Sequence, residues 1–201
     1  MRFEPGYLLG MALQTIPEPR KVARDIFSLD LPRAALWQAV ALFAVLSTGL
    51  NVAANMLFVP DPGAAPALML DPIRMGVIQG ASVVITIFAI YWMGRAFGGT
   101  GTFPQAMLTV IWMQYVAVML QFVVLVLALF APGIAVLVSV FSVVLSFWIL
   151  SHFIAEMHGF RSAGLVFAMI VVTIFALAIV LGILLALIGV SAGAPPLMQT
   201  R

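Results

Sequence analysis

The chain has 201 residues, 64% of them hydrophobic and 8% charged, with a mean hydropathy of +1.21. Soluble domains carry about 25% charged residues; a surface this poor in polar groups cannot face water, so the composition excludes a soluble globular fold and points to an integral membrane protein. A formal charge of +2 is too small to argue for nucleic acid, and the lack of cysteine excludes disulfides, thiolate-held metals and palmitoyl anchors.

Residues 1–33 form an N-terminal segment ahead of the apolar runs. Residues 1–14 are apolar at Tyr7, Leu8, Leu9, Met11 and Leu13 but too short to cross a bilayer, and are expected to lie against the membrane or the bundle. Thr15 and Glu18 have the spacing of a capping box, with Pro17 and Pro19 fixing the start of the next helix. Projected as a helix, residues 19–28 place Val22, Ala23, Ile26 and Phe27 on one arc and Arg20, Lys21, Arg24, Asp25 and Ser28 on the other. That pattern predicts an interfacial amphipathic helix among the headgroups; the same pattern also suits a helix packed on protein.

Five runs of spanning length follow, at about 34–58, 75–93, 105–130, 134–153 and 163–190, each reaching the roughly 18 residues that argue for a crossing. Together residues 34–190 are predicted to form an all-α, five-helix membrane domain. The first run follows Asp30-Leu31-Pro32, an N-cap with an early proline, and is too long for a signal-peptide core, so it is expected to stay as a span. Asp71-Pro72 opens the second run, and Ala131-Pro132-Gly133 separates the third from the fourth. The tail 191–201, with Gly193, Pro195 and Pro196, is predicted to be disordered.

Between the second and third runs lies the hinge, residues 91–105. Trp92 and Arg95 suit a membrane boundary, where an indole sits well and a guanidinium reaches the headgroups. Gly98, Gly99 and Gly101 are expected to supply positive-φ positions for a quick reversal. Thr102 and Gln105 have capping-box spacing, with Pro104 in the first turn. A Gly-rich loop before a helix can also cradle phosphate. Here, however, Gly101 is followed by Thr102-Phe103 rather than Lys and a hydroxyl, and no strand precedes it, so a tight turn is the expectation.

Five crossings put the termini on opposite sides. With the N-terminus inside, that side holds Arg2, Arg20, Lys21, Arg24, Arg33, Arg95 and Arg161 against Arg74 and Arg201 outside, and seven against two predicts a cytoplasmic N-terminus and an external C-terminus. Eight of the nine basic residues are arginine, which points toward a bacterial inner membrane.

Within the spans, small-residue ridges at Gly76/Gly80, Ser142/Ser146 and Ala178/Gly182/Ala186 are expected to mark tight helix contacts, inside one chain in preference to a homodimer. Asn51 and Asn55 share a face at a depth matching Gln79, so a bond across the first hairpin is expected. Gln114 and Gln121 line one face of the third span, as interhelical glue or as part of a polar path or a ligand pocket in the bundle.

The densest polar set falls at the hinge side: Gln38, Arg95, Gln105, His152, Glu156, His158 and Arg161. Glu156 is expected to pair with Arg95 or Arg161 rather than stand alone near lipid. His152 and His158 are six apart, not the four of the zinc-protease pattern, and no serine has a nucleophile-elbow context. No metal, cofactor or enzymatic activity is expected.

The Pro-Glu-Pro-Arg-Lys-Val-Ala-Arg segment from Pro17, the Asp-Leu-Pro-Arg start of the first span and the Phe-Gly-Gly-Thr-Gly-Thr-Phe-Pro-Gln hinge from Phe97 resemble bacterial members of the Yip family, named for eukaryotic relatives that bind Ypt/Rab GTPases. The resemblance implies five helices, a cytoplasmic N-terminus and a role in membrane organisation rather than catalysis. The functional expectation is a scaffold that meets lipid or a partner protein through its cytoplasmic face. The rival is a small transporter or channel component using Gln114, Gln121 and the His152–Glu156 end as a polar route.

Overall fold

The computed structural model describes residues 5–58 and 71–187. Among them run α1 (Pro5–Gln14), α2 (Pro19–Phe27), α3 (Arg33–Phe58), α4 (Pro72–Ala96), α5 (Phe103–Phe130), α6 (Pro132–His158) and α7 (Ala163–Leu187). Helices α3 to α7 are long and apolar enough to cross a membrane, and each overlaps one predicted span. The predicted tail lies outside the described residues.

The five long helices are apolar on all sides, the pattern of helices buried in hydrocarbon rather than lying at a water boundary. In that medium the backbone must satisfy itself, and so must side-chain hydroxyls. Thr48, Thr86, Thr109, Ser139, Ser142, Ser146, Ser151 and Thr173 each donate to the carbonyl four residues back, at 2.7–2.9 Å. Asp71 caps α4, its Oδ1 accepting from the Ile73 and Arg74 amides. Asp30 makes no such bond; the first turn of α3 begins with the Leu36 amide donating to the Pro32 carbonyl. Helix α5 passes to α6 through Ala131 alone.

Helix α5 is the central post, contacted by α3, α4 and α6, while α7 packs on α6. Successive long helices run antiparallel, so the start of α3, end of α4, start of α5, end of α6 and start of α7 share one end, the hinge end. The most deeply buried side chains gather there: Leu36, Ile87, Met107, Thr109, Ile149, Phe153 and Val166. On α7, Val166 and Ile170 are buried, whereas Val172, Ile174, Phe175, Ile179 and Val180 face outward.

Helix α2 closes the hinge end. Its predicted apolar arc is buried at Val22, Ala23 and Ile26, and Phe27 stacks edge-on against Phe153 at 6.1 Å. What that arc meets is α5 and α6 rather than acyl chains. Helix α1 follows the bundle too, burying Met11 and packing Leu8 and Ala12 on the core. The Thr15–Glu18 capping box does not form: the Thr15 hydroxyl donates back to the Met11 carbonyl and accepts from Trp112 Nε1 at 3.1 Å, while Glu18 receives Gln14 and Lys21. Trp148 Nε1 donates to the Ile16 carbonyl, a second indole holding the connection between α1 and α2.

The small-residue ridges divide. A Cβ on Gly76 would meet Thr48 of α3 at 3.7 Å, so that glycine marks an internal contact; one on Gly80 or Gly182 would meet nothing within 4 Å.

Candidate functional site

The hinge end is built by three helix termini of matching chemistry. Helix α4 ends in a Schellman motif: the Gly98 amide donates to the Arg95 carbonyl, the Gly99 amide to the Gly94 carbonyl, and Gly98 adopts φ +84°. Helix α6 ends the same way, with Gly159 at φ +74° and the Phe160 amide bonded to the Ala155 carbonyl. Helix α5 starts with the predicted capping box: the Thr102 amide donates to Gln105 Oε1 at 2.9 Å and the Gln105 amide to Thr102 Oγ1 at 3.5 Å. Tyr91 of α4 meets Phe103 of α5 edge-on at 5.6 Å across the hinge.

His158, 3% exposed, locks these termini together. The Gly101 amide donates to its Nδ1 at 3.1 Å, so Nδ1 is the unprotonated nitrogen; Nε2 then carries the proton toward the Ile90 carbonyl, 3.3 Å away. The Thr100 amide also donates to the His158 carbonyl at 3.3 Å. Both ring nitrogens are therefore engaged by backbone, which leaves no lone pair for a metal.

The glycines make this possible by leaving room. A Cβ on Gly94 or Gly99 would collide with the His158 side chain, and one on Gly101 would lie 2.8 Å from its ring and 2.9 Å from Met157 Cγ. Only Gly98 of the three predicted hinge glycines needs positive φ. The expectation for Gly99 and Gly101 is thus corrected: they are glycine because an imidazole presses on their backbone. Gly94, in the same set, went unpredicted. Its signal was present as an isolated glycine in an apolar helix, where glycine costs about 1 kcal/mol against alanine unless something demands it.

The charged residues sort differently from expectation. Glu156 pairs with Arg24 of α2, Nη1 to Oε1 at 3.2 Å, and with neither Arg95 nor Arg161. Of the two expected partners, Arg95 lies over the Tyr91 ring at 5.7 Å, and Arg161 takes part through its backbone, its carbonyl accepting from Arg20 Nη2 at 3.0 Å. Arg20 also reaches the Phe160 carbonyl. Arg20 and Arg24 therefore pin α2 to the end of α6 and the turn after it, a role that their placement on a polar arc did not suggest. His152 joins no cluster; its Nδ1 sits 2.8 Å from the Trp148 carbonyl and its ring lies against the Trp148 indole. Gln38 is exposed. Among the described residues no carboxylate comes within 4.0 Å of Arg33, Arg95 or Arg161, and all three are exposed. No group of three or more His, Asp or Glu able to hold a metal occurs among the described residues.

The intramembrane polar residues lie apart from this end. Asn55 Nδ2 of α3 crosses the first hairpin to Met75 Sδ of α4 at 3.9 Å. Asn51 and Gln121 line a crevice of about 380 Å³ between α3, α5 and α6 toward the far end; Gln114 does not line it.

Comparison with curated proteins and with solved structures returned no significant match. A family model, the Yip1 domain, matches residues 13–186, which takes in α2, the hinge and all five long helices. The chain is therefore a multi-pass membrane protein belonging to the Yip family.

Proposed function

We propose that this protein is a non-enzymatic scaffold of the bacterial inner membrane, with the hinge end and N-terminus in the cytoplasm, the C-terminus outside, and the hinge end as its recognition surface. The observation that carries the reading is the disposition of cations there. Arg33, Arg95 and Arg161 stand exposed without carboxylate partners among the described residues, at an end whose backbone is clamped by His158 and covered by α2. Arginines placed so, beside the exposed Trp92, suit anionic headgroups or an acidic patch on a partner. The family membership supports a role in organising membranes, and the charge asymmetry supports the orientation.

A polar route through the bundle is less well supported. Between the Gln121 crevice and Glu156 the interior is filled by Trp112, Val116, Ile149 and Phe153, all buried.

The test is native purification with identification of bound lipids and proteins. The wild-type chain is expected to retain anionic lipid or one recurrent partner, and the triple variant Arg33→Gln, Arg95→Gln, Arg161→Gln to lose it while keeping its fold. Nothing retained above background, or retention unchanged in the variant, sinks the reading. A reporter fused after Arg201 that works in the cytosol overturns the orientation.

A further inference from the structure

The crevice between α3, α5 and α6 carries a ligand signature of its own. Its volume of about 380 Å³ lies within the range of small-molecule sites. Gln121 Oε1 is buried there with no hydrogen-bond partner, one of two such side-chain atoms among the described residues, the other being Ser47 Oγ outside the crevice. Asn51 lines the same space and makes no side-chain bond among the described residues. A buried polar atom left unmade costs about 1–3 kcal/mol in a protein interior, and no bulk water is at hand at membrane depth to relieve it.

The opposite wall is polar in a specific sense. Ser139, Ser142 and Ser146 of α6 all line the crevice, and each has already given its proton to its own helix. What they offer inward is lone pairs. The Asn51 and Gln121 amides add N–H donors to those lone pairs, so the polar lining calls for a group that both donates and accepts, as a hydroxyl does. No charged side chain lines the space, so a carboxylate or phosphate head would stand uncompensated in hydrocarbon. The remaining walls, including Leu50, Phe58 and Val124, suit an alkyl chain.

Depth narrows the class further. Gln121 lies nine residues before the end of α5 at Phe130, about 14 Å along the axis. A head received there must enter below the headgroup layer, which a bulky phospholipid head does not do.

We propose that this crevice binds an uncharged, small-headed amphiphile, a lipid chain bearing a hydroxyl of the monoacylglycerol or long-chain alcohol class, with the hydroxyl hydrogen-bonded to the Gln121 amide. The site is independent of the scaffold reading, since it shares no residue with the hinge end.

The experiment uses the full chain in nanodiscs with a photoactivatable monoacylglycerol, its adducts mapped by mass spectrometry. Adducts are expected on the crevice walls of α3, α5 and α6, displaced by excess monooleoylglycerol and not by octadecane or phosphatidylglycerol. Ser142→Phe fills the space and brings labelling down to the level seen on the exposed face of α7. Gln121→Leu keeps the volume and lowers labelling about threefold, the worth of one hydrogen bond between membrane helices; it carries the test alone where Ser142→Phe does not fold. Labelling spread evenly over lipid-facing surfaces, displacement by octadecane as effective as by monooleoylglycerol, or insensitivity to Gln121→Leu overturns the proposal. So does a crosslink from the crevice to a second copy of the chain.

Discussion

The two ends of this bundle are held by different means. At the hinge end three helix termini and the two loops beside them meet around one imidazole, and glycine backbone touches ring atoms. At the far end Phe130 is 82% exposed, Met56 80% and Ile73 78%, and an amide oxygen lies buried without a partner beside a crevice. The contrast follows from what each end must face. Where helices stop and the chain turns, backbone groups leave the helical ladder and need named partners. Along the spans the backbone is already satisfied, and lipid receives any apolar side chain on offer. Tolerance to substitution should therefore fall steeply from the far end to the hinge.

The strongest way to break this comparison is to add one carbon at each end. Gly94→Ala drives a methyl into the His158 ring and should cost about 3 kcal/mol or prevent folding. Gly80→Ala and Gly182→Ala meet nothing within 4 Å and should fall within about 1 kcal/mol of wild type, on the stabilising side from helix propensity. Thermal unfolding in detergent separates the two outcomes. Pairing Gly94→Ala with His158→Ala should cost less than the sum of the single changes, because the ring that clashes is gone; strict additivity would mean that the contact has been misread.

A smaller effect is expected at the clamp on α2. The Arg24 side chain is 60% exposed and that of Glu156 19%, so Arg24→Glu should cost on the order of 1 kcal/mol. Exchanging both, Arg24→Glu with Glu156→Arg, should return part of it. Limited proteolysis between α2 and α3 reports the release of α2, and no rescue in the double variant would detach the pair from the stability of this end.

The smallest effect is confined to the turn between α1 and α2. The Gln14 amide, and after it the Lys21 ammonium, hold the Glu18 carboxyl below its usual range. With the folded value below the unfolded one, near 4.5, the stabilisation is present above 4.5 and lost as pH falls through the folded value. A carboxyl-resolved NMR titration should place the Glu18 midpoint below 4.5 and show it rising in Gln14→Ala; a midpoint at or above 4.5 in the wild type would contradict the contact.

Much of this fold is legible along the chain because its causes are local. Asp71 before Pro72 caps α4, and Thr102 with Gln105 boxes the start of α5, each bond closing within three residues. The site is less legible. Glu156 had arginines nearby at Arg161 and across the hinge at Arg95, yet its partner is Arg24, 132 positions away. Thr15 had the spacing of a cap, but Trp112, 97 positions on, claims its hydroxyl oxygen. The arc of α2 was plain in the sequence, whereas the identity of what covers it was not, since α5, α6 and an acyl chain are equally apolar.

Hydropathy and turn chemistry by themselves determined five bilayer-length helices, the reversal at the hinge and the caps around it, because each depends on transfer of a contiguous segment or on bonds between near neighbours. Only the tertiary structure decided why Gly94, Gly99 and Gly101 are glycine, which arginine meets Glu156, and that Gln121 opens on a crevice. Those outcomes depend on which surfaces approach one another, and a bare backbone or a lone carboxylate is compatible with many neighbours until packing brings one of them into contact.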